Sequence, residues 1–220
     1  MSYHSFEAAN RAAGAVVLAT DLVLSDEVNN AFCAVRPPGH HAKHDAAMGF
    51  CIYNNIMVGV YHALANGLDR IALLDFDVHH GNGSENIIAG DERILFCSTF
   101  QHPYYPYVPC QSSDHIICSP LVAGAGSEEF RAEVTNKWIP AIEQHKPQMI
   151  FISAGFDAHQ DDYLGGLNFI EDDYYWVTEK IVNLANKYAS GRIVSSLEGG
   201  YNTKALADSV EIHLLALLDK

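Results

Sequence analysis

The stretch RIALLDFDVHHGNG, Arg70 to Gly83, decides how this chain is read. Its first half is continuously apolar from Ile71 to Leu74, the pattern of a strand buried on both faces in a parallel sheet. Its second half turns abruptly to titratable residues. Side chains of an extended segment alternate with a period of two, so Asp75, Asp77 and His79 share one side and Phe76 and Val78 the other. A carboxylate and an imidazole on one side can grip one cation. A third ligand from another strand end would complete a three-ligand site with an open position, the arrangement of catalytic zinc.

Outward from this stretch, helical and strand patterns alternate. Helices are expected over Ser5 to Leu24, Cys51 to Asn66, Ser84 to Ala89, Ser127 to His145, Asp172 to Tyr188 and Thr203 to Leu218. In the fourth of these, Ser127 is expected as the cap and Pro140 as a kink. Apolar strands are expected over Ala31 to Arg36, Arg70 to Asp75, Arg93 to Ser98, Gln148 to Ala154 and Arg192 to Leu197. Such alternation implies an α/β fold in one domain over 1–220, a mostly parallel sheet with helices on both faces. Thr99 to Gly126, rich in aromatic residues, Pro and Ser, is expected to be a long functional loop.

Parallel sheets bind ligands at the carboxyl ends of their strands. After the five strands come, in turn, His40-His41, Asp75-Asp77-His79-His80, Ser98, Asp157 and Gly199-Gly200-Tyr201. All point at one edge of the sheet. Asp157, in SAGFDAH, is the candidate third ligand beside Asp77 and His79, with His159 a rival and His80 facing away. Mixed Asp and His ligands suit zinc, with iron and manganese as alternatives.

RPPGHHA, Arg36 to Ala42, holds two imidazoles on a turn stiffened by two prolines and a glycine. Hydrolysis of an amide needs a base for the attacking water and an acid for the leaving amine, and histidine titrates in that range. In EGGY, Glu198 to Tyr201, the glycines allow the backbone to approach a ligand, and the tyrosine can direct its hydroxyl at a developing oxyanion.

Composition narrows the function classes. Hydrophobic residues make up 49% and charged residues 18% of the 220, an ordinary globular balance. The net charge of −14 repels nucleic acid and favours cationic substrates. No apolar run is long enough to span a membrane, and a cytoplasmic protein is expected. The five cysteines include no CxxC pair, so neither a disulfide framework nor a cysteine zinc site is expected.

With RPPGHHA, MGFC at Met48 to Cys51, DFDVHHGNG, AGFDAH at Ala154 to His159, and EGGY in this order, the sequence resembles the histone deacetylase family. The family is meant broadly, including bacterial acetylpolyamine and acetoin-utilisation relatives. The resemblance implies a three-layer arginase-deacetylase fold with Asp77, His79 and Asp157 on a catalytic zinc. It makes His41 the general base, His40 its electrostatic partner and Tyr201 the group that polarises the carbonyl. Asp75 would orient His40 and Asn82 would orient His41. Phe50 and Tyr105 would wall an acyl-lysine channel, with Gly199 and Gly200 lining it. Asp75, Asp77, His79 and Ser98 match a potassium site of the family. Relatives carry roughly a hundred residues ahead of the equivalent of Ser5, since single α/β domains exceed two hundred residues. A sheet edge left uncovered there would favour a homo-oligomer. Tyr107 stands where many relatives have glycine.

The expected function is zinc-dependent deacylation of an acyl-lysine peptide or an acylated polyamine, with no nucleic acid or membrane partner. The alternatives are an inactive acyl-lysine-binding scaffold, a deacylase of small metabolites, and a dimanganese arginase-like hydrolase.

Overall fold

The computed structural model describes residues 3–218; the ends of the domain expected over 1–220 lie outside the described residues. A helix α1 (Ser5–Leu24) leads to β1 (Asn30–Cys33), followed by α2 (Asn55–Ala65), β2 (Ile71–Asp75), α3 (Asn82–Ile88) and β3 (Ile94–Gln101). Then come β4 (Ile116–Leu121), α4 (Ser127–Glu133), a π-helical turn (Val134–Trp138) and α5 (Ile139–His145). The chain closes with β5 (Met149–Ala154), α6 (Glu171–Tyr188), β6 (Ile193–Leu197) and α7 (Thr203–Leu218).

The strands form one six-stranded sheet in the order β1-β6-β5-β2-β3-β4, parallel at every pairing. From β2 the chain builds outward through β3 to β4; from β5 it builds the other way to β6. The order therefore reverses between β2 and β5, where a crevice opens at the carboxyl ends. Side chains of β2 alternate between two cores. Ile71 and Leu73 pack with Val16, Val23, Ile56 and Val60 of α1 and α2. Ala72 and Leu74 pack on the other face with Trp138, Ile142, Tyr174, Val177 and Ile181. These are the three layers the resemblance implies.

Several boundaries differ from expectation. The stretch Thr99 to Gly126 is not wholly irregular: β3 runs on to Gln101 and Ile116–Leu121 adds an edge strand. Pro120 fits there because an edge position spares it a ladder hydrogen bond. The expected helix over Ser127 to His145 is broken by the π turn just before Pro140, whose ring cannot continue the i→i−4 ladder. Ser127 does not cap it; its hydroxyl donates to Asp173 Oδ2 at 2.7 Å, while Glu129 Oε2 accepts from the Gly126 N–H at 3.0 Å. Helix α2 starts at Asn55 because the Asn54 side chain caps Met57 N at 3.2 Å. The first strand ends at Cys33 rather than Arg36. Cys110 and Cys118 form a disulfide, contrary to the expectation of free thiols; Cys33, Cys51 and Cys97 are free and buried.

Candidate active site

Asp77, His79 and Asp157 meet at the carboxyl ends of β2 and β5, with donor atoms within 4.8 Å of one another. Their backbone setting is cramped by design. A Cβ at Gly155 would overlap the Asp77 carboxylate, and one at Gly199 would overlap Asp157 Oδ2 and Asp77 Oδ2, so only glycine admits the two acids. Asp77 Oδ1 accepts from the His79 N–H at 2.9 Å, and Asp77 Oδ2 from the Gly199 N–H at 2.8 Å. Asp157 Oδ1 accepts from the Val78 N–H at 3.0 Å. Asp157 Oδ2 is buried with no hydrogen bond, 3.2 Å from His79 Nδ1. A buried carboxylate oxygen left open beside an imidazole and a second carboxylate is a donor set that fits a divalent cation. Phe76 and Val78 face the α6 core, as the alternation predicts.

The electrostatics of the three residues follow from this crowding. Burial opposes the charge of His79, yet the Asp157 and Asp77 carboxylates raise it to about 11. Burial and the neighbouring Asp77 raise Asp157 to about 6. For Asp77 burial acts upward, but His40 and His79 outweigh it and hold the acid below its usual range.

The two histidines of the stiff turn sit above this cluster, their rings 4.1 Å apart. His40 Nδ1 lies 2.9 Å from Asp75 Oδ2, and His41 Nδ1 lies 2.8 Å from Asn82 Oδ1. Asn82 directs its amide NH₂ at Met48 Sδ, 3.3 Å away, so its oxygen faces His41 and accepts from Nδ1–H. The Nε2 lone pair of His41 is thereby left free. Burial depresses His40, but Asp75 and Asp77 overcome this and lift it to about 10. Burial and the adjacent His40 press His41 down to about 2. The pair is thus one imidazolium and one neutral imidazole.

Tyr201 follows β6 across the two glycines. Its N–H donates to Asp162 Oδ2 at 2.6 Å, as does the Asn202 N–H at 3.0 Å, so a buried carboxylate fixes the turn. The Arg36 guanidinium stands 5.9 Å from the Tyr201 ring centroid and donates to Glu198 O at 2.7 Å. Burial and the Asp77 and Asp157 carboxylates raise the Tyr201 hydroxyl, which stays a donor. Glu198 itself is buried and accepts from the Gly39 and His40 N–H groups at 2.7 and 3.1 Å.

His40, His41, Asp77, His79 and Tyr201 line a pocket of about 450 Å³ whose walls are Pro38, Phe50, Tyr104, Tyr105, Tyr107 and Leu164. Phe50 projects from a residue with φ 64° and is 70% exposed, a rim position. Tyr105 meets the His41 ring edge-on at 5.1 Å, and Tyr104 stacks on His79 at 5.5 Å. Gly199 lines the pocket. Gly200 does not; it has φ 138° and faces Leu206. Ser98 is buried within β3, opposite Asp75 of β2, with its hydroxyl 3.3 Å from His80 Nδ1. His159 lies apart, its Nε2 3.5 Å from Glu171 Oε1 and its Nδ1 accepting from the Asp161 N–H.

Sequence reasoning gave no role to Asp162, Glu198 or Arg36. Glu198 stood inside a recognised motif, whereas Asp162 carried no local signal at all.

The histone deacetylase domain profile matches residues 1–217. Type-2 histone deacetylase 2 of Dictyostelium discoideum is 42% identical over 243 residues, which span all of this chain and 14% of that protein. A probable deacetylase of Archaeoglobus fulgidus is 37% identical, covering 97% of this chain and 61% of its own length. A histone deacetylase-like amidohydrolase of Pseudomonas aeruginosa is 36% identical over 90% of this chain and 54% of its own. The crystal structure of the HDA15 HD domain superposes with a TM-score of 0.89 at 30% identity, over 97% of this chain and 64% of that one. The chain thus spans less than two thirds of the length of these proteins.

Proposed function

This chain belongs to the histone deacetylase family, and on that premise we propose that it is a zinc-dependent hydrolase that removes the acyl group from an acylated amine. Asp77, His79 and Asp157 are the residues that would hold the ion. The ion would supply a Lewis acid for the acyl carbonyl and for a water molecule. Asp75 and Ser98, buried just beneath, would join Asp77 and His79 around a potassium ion.

The chain's own groups divide the remaining work. The free Nε2 of neutral His41 takes the proton of the attacking water. That creates a second positive charge beside the His40 imidazolium, so the proton is poorly held and passes on to the leaving amine. Asp75 keeps His40 charged and oriented throughout. The Tyr201 hydroxyl donates to the oxygen that gains charge as the carbonyl is attacked. The aromatic walls exclude water around an alkyl chain. The acidic chain favours cationic acyl donors, acyl-lysine peptides and acylpolyamines.

The observation that carries this reading is the convergence, at one pocket, of three metal-type ligands (Asp77 and Asp157 buried, His79 part-buried), a neutral imidazole of fixed tautomer and a protonated tyrosine. The test is turnover of acetyl-lysine peptides, acetylpolyamines and longer acyl-lysine peptides by the zinc-loaded chain and its Tyr201→Phe variant. Loss of the donor should lower kcat by on the order of 10²–10³. Turnover unchanged in Tyr201→Phe refutes the mechanism. Zinc bound without turnover of any substrate refutes the enzymatic reading.

A further inference from the structure

We propose that Cys110 and Cys118, once reduced, join His80 and Glu85 to hold a second zinc ion behind the wall of the pocket. His80 follows His79 but points the opposite way. It is buried, with Nε2 2.5 Å from Glu85 Oε2 and Nδ1 3.3 Å from Ser98 Oγ. Glu85 keeps its other oxygen occupied by the Gln111 N–H at 2.9 Å, which leaves Oε2 aimed at the imidazole. The Ser98 hydroxyl can accept from His80 Nδ1–H, and in that tautomer the Nε2 lone pair and Glu85 Oε2 face one point suited to a cation.

The Cys110 sulfur lies at that same point. Donor atoms of His80, Glu85 and Cys110 fall within 4.8 Å of one another. The disulfide brings the Cys118 sulfur alongside that of Cys110. Register places Cys118 opposite Ser98, the residue whose hydroxyl meets His80. One nitrogen, one carboxylate oxygen and two sulfurs, drawn from four separate segments, make the closed four-ligand set of a structural zinc site. None of the four belongs to the catalytic trio.

Two equivalents of a thiol reductant supply two electrons and two protons, cleave the Cys110–Cys118 bond and are themselves oxidised to a disulfide. Zinc then displaces the two thiol protons and binds as the dithiolate. The reverse reaction, driven by a disulfide oxidant, expels the ion. In the disulfide form, with the neighbouring Gln111 N–H on Glu85 of α3, the Cys110 sulfur itself is bonded only to Cys118 of β4. In the zinc form it is tied also to α3 and to the His79-His80 segment. The connection carrying Tyr104, Tyr105 and Tyr107 is therefore anchored differently in the two states.

The test is zinc stoichiometry of the full chain after reduction or disulfide oxidation, repeated with cobalt(II) in place of zinc to detect thiolate-to-metal charge-transfer absorption. The reduced chain should bind two zinc ions and the oxidised chain one, and the Cys110→Ser/Cys118→Ser double variant should bind one in both conditions. Asp157→Ala, reduced, should keep one ion and the full cobalt–thiolate band. Absence of that band in the reduced chain, or a count unaffected by the double substitution, overturns the proposal. If Asp157→Ala loses no zinc but the thiolate band is present, the catalytic assignment fails and this one stands.

Discussion

Replacing Glu198 separates its service as a hydrogen-bond acceptor from its charge. Its Oε2 holds the N–H groups of Gly39 and His40, so the histidine turn hangs from the end of β6. Its Oε1 accepts from Ser153 Oγ at 3.2 Å. In Glu198→Ala two buried N–H groups lose their only acceptor, at about 1–3 kcal/mol each, or roughly 2–6 kcal/mol in all. That is a large share of the about 5–15 kcal/mol that stabilises a domain. In Glu198→Gln a carbonyl oxygen replaces Oε2, and the amide NH₂ faces a Ser153 hydroxyl able to accept, so the cost should stay below about 1.5 kcal/mol. Urea unfolding of the three proteins measures the stability terms, and turnover at fixed zinc reports the placement of His40 and His41. The alanine variant should lose several kcal/mol and most of its turnover, and the glutamine variant little of either. If alanine lies within about 0.5 kcal/mol of the parent, the scale of an uninvolved substitution, the turn does not depend on Glu198. If glutamine fails as badly as alanine, the charge and not the acceptor is what matters.

Two other predictions concern the core and the metal cradle. His213 is buried between Thr178 Oγ1 at 2.7 Å and Ser195 Oγ at 3.0 Å; Thr178 donates to Tyr174 O, so His213 is neutral with its proton on Nδ1. Burial presses it down to about 3. Its unfolded value is about 6.5, so between those values the unfolded chain binds a proton the folded chain does not, and stability drops by about 1.4 kcal/mol for each unit by which the pH is lowered, the full contribution being present above 6.5. His213→Gln should flatten the stability–pH slope between pH 4 and 6 by that amount; equal slopes contradict it. Gly199→Ala places a methyl group against Asp157 Oδ2 and Asp77 Oδ2 and should weaken zinc binding by on the order of 10–100-fold, measured by chelator competition. Unaltered affinity would mean that the close approach is not required.

The strand β2 and the clustered Asp and His residues after it were legible because a buried parallel strand leaves an unbroken apolar run and its end leaves an alternation. The same logic passed over β4, because IICSPL is short, half-exposed and carries a proline, all tolerated at an edge and all discouraging in a linear reading. The π turn was invisible because its cause, Pro140, predicts a break but not the form the ladder takes upstream. Tandem histidines, alternating ligands and a tyrosine beyond two glycines are local patterns, and the fold brings them into one pocket. Glu198 grips an N–H 159 residues away and Asp162 one 39 residues away, and no local spacing encodes such partnerships. The Cys110–Cys118 pairing was hidden by an odd cysteine count and by a short intervening segment with no strand pattern until Ile116.

The groups at the pocket floor rise from β2, β5, β6 and the turn tied to β6, the middle of the sheet, while three tyrosines of the wall belong to the connection between β3 and the edge strand β4. The groups of the proposed chemistry and the surface that would fit a substrate therefore belong to separate parts of the sheet, meeting where Tyr104 stacks on His79 and Tyr105 meets His41. A peripheral loop can be lengthened, shortened or re-lettered without moving a buried strand. Selection, natural or in the laboratory, can thus retailor what the cleft admits while leaving the chemistry at its base alone, one loop sequence at a time.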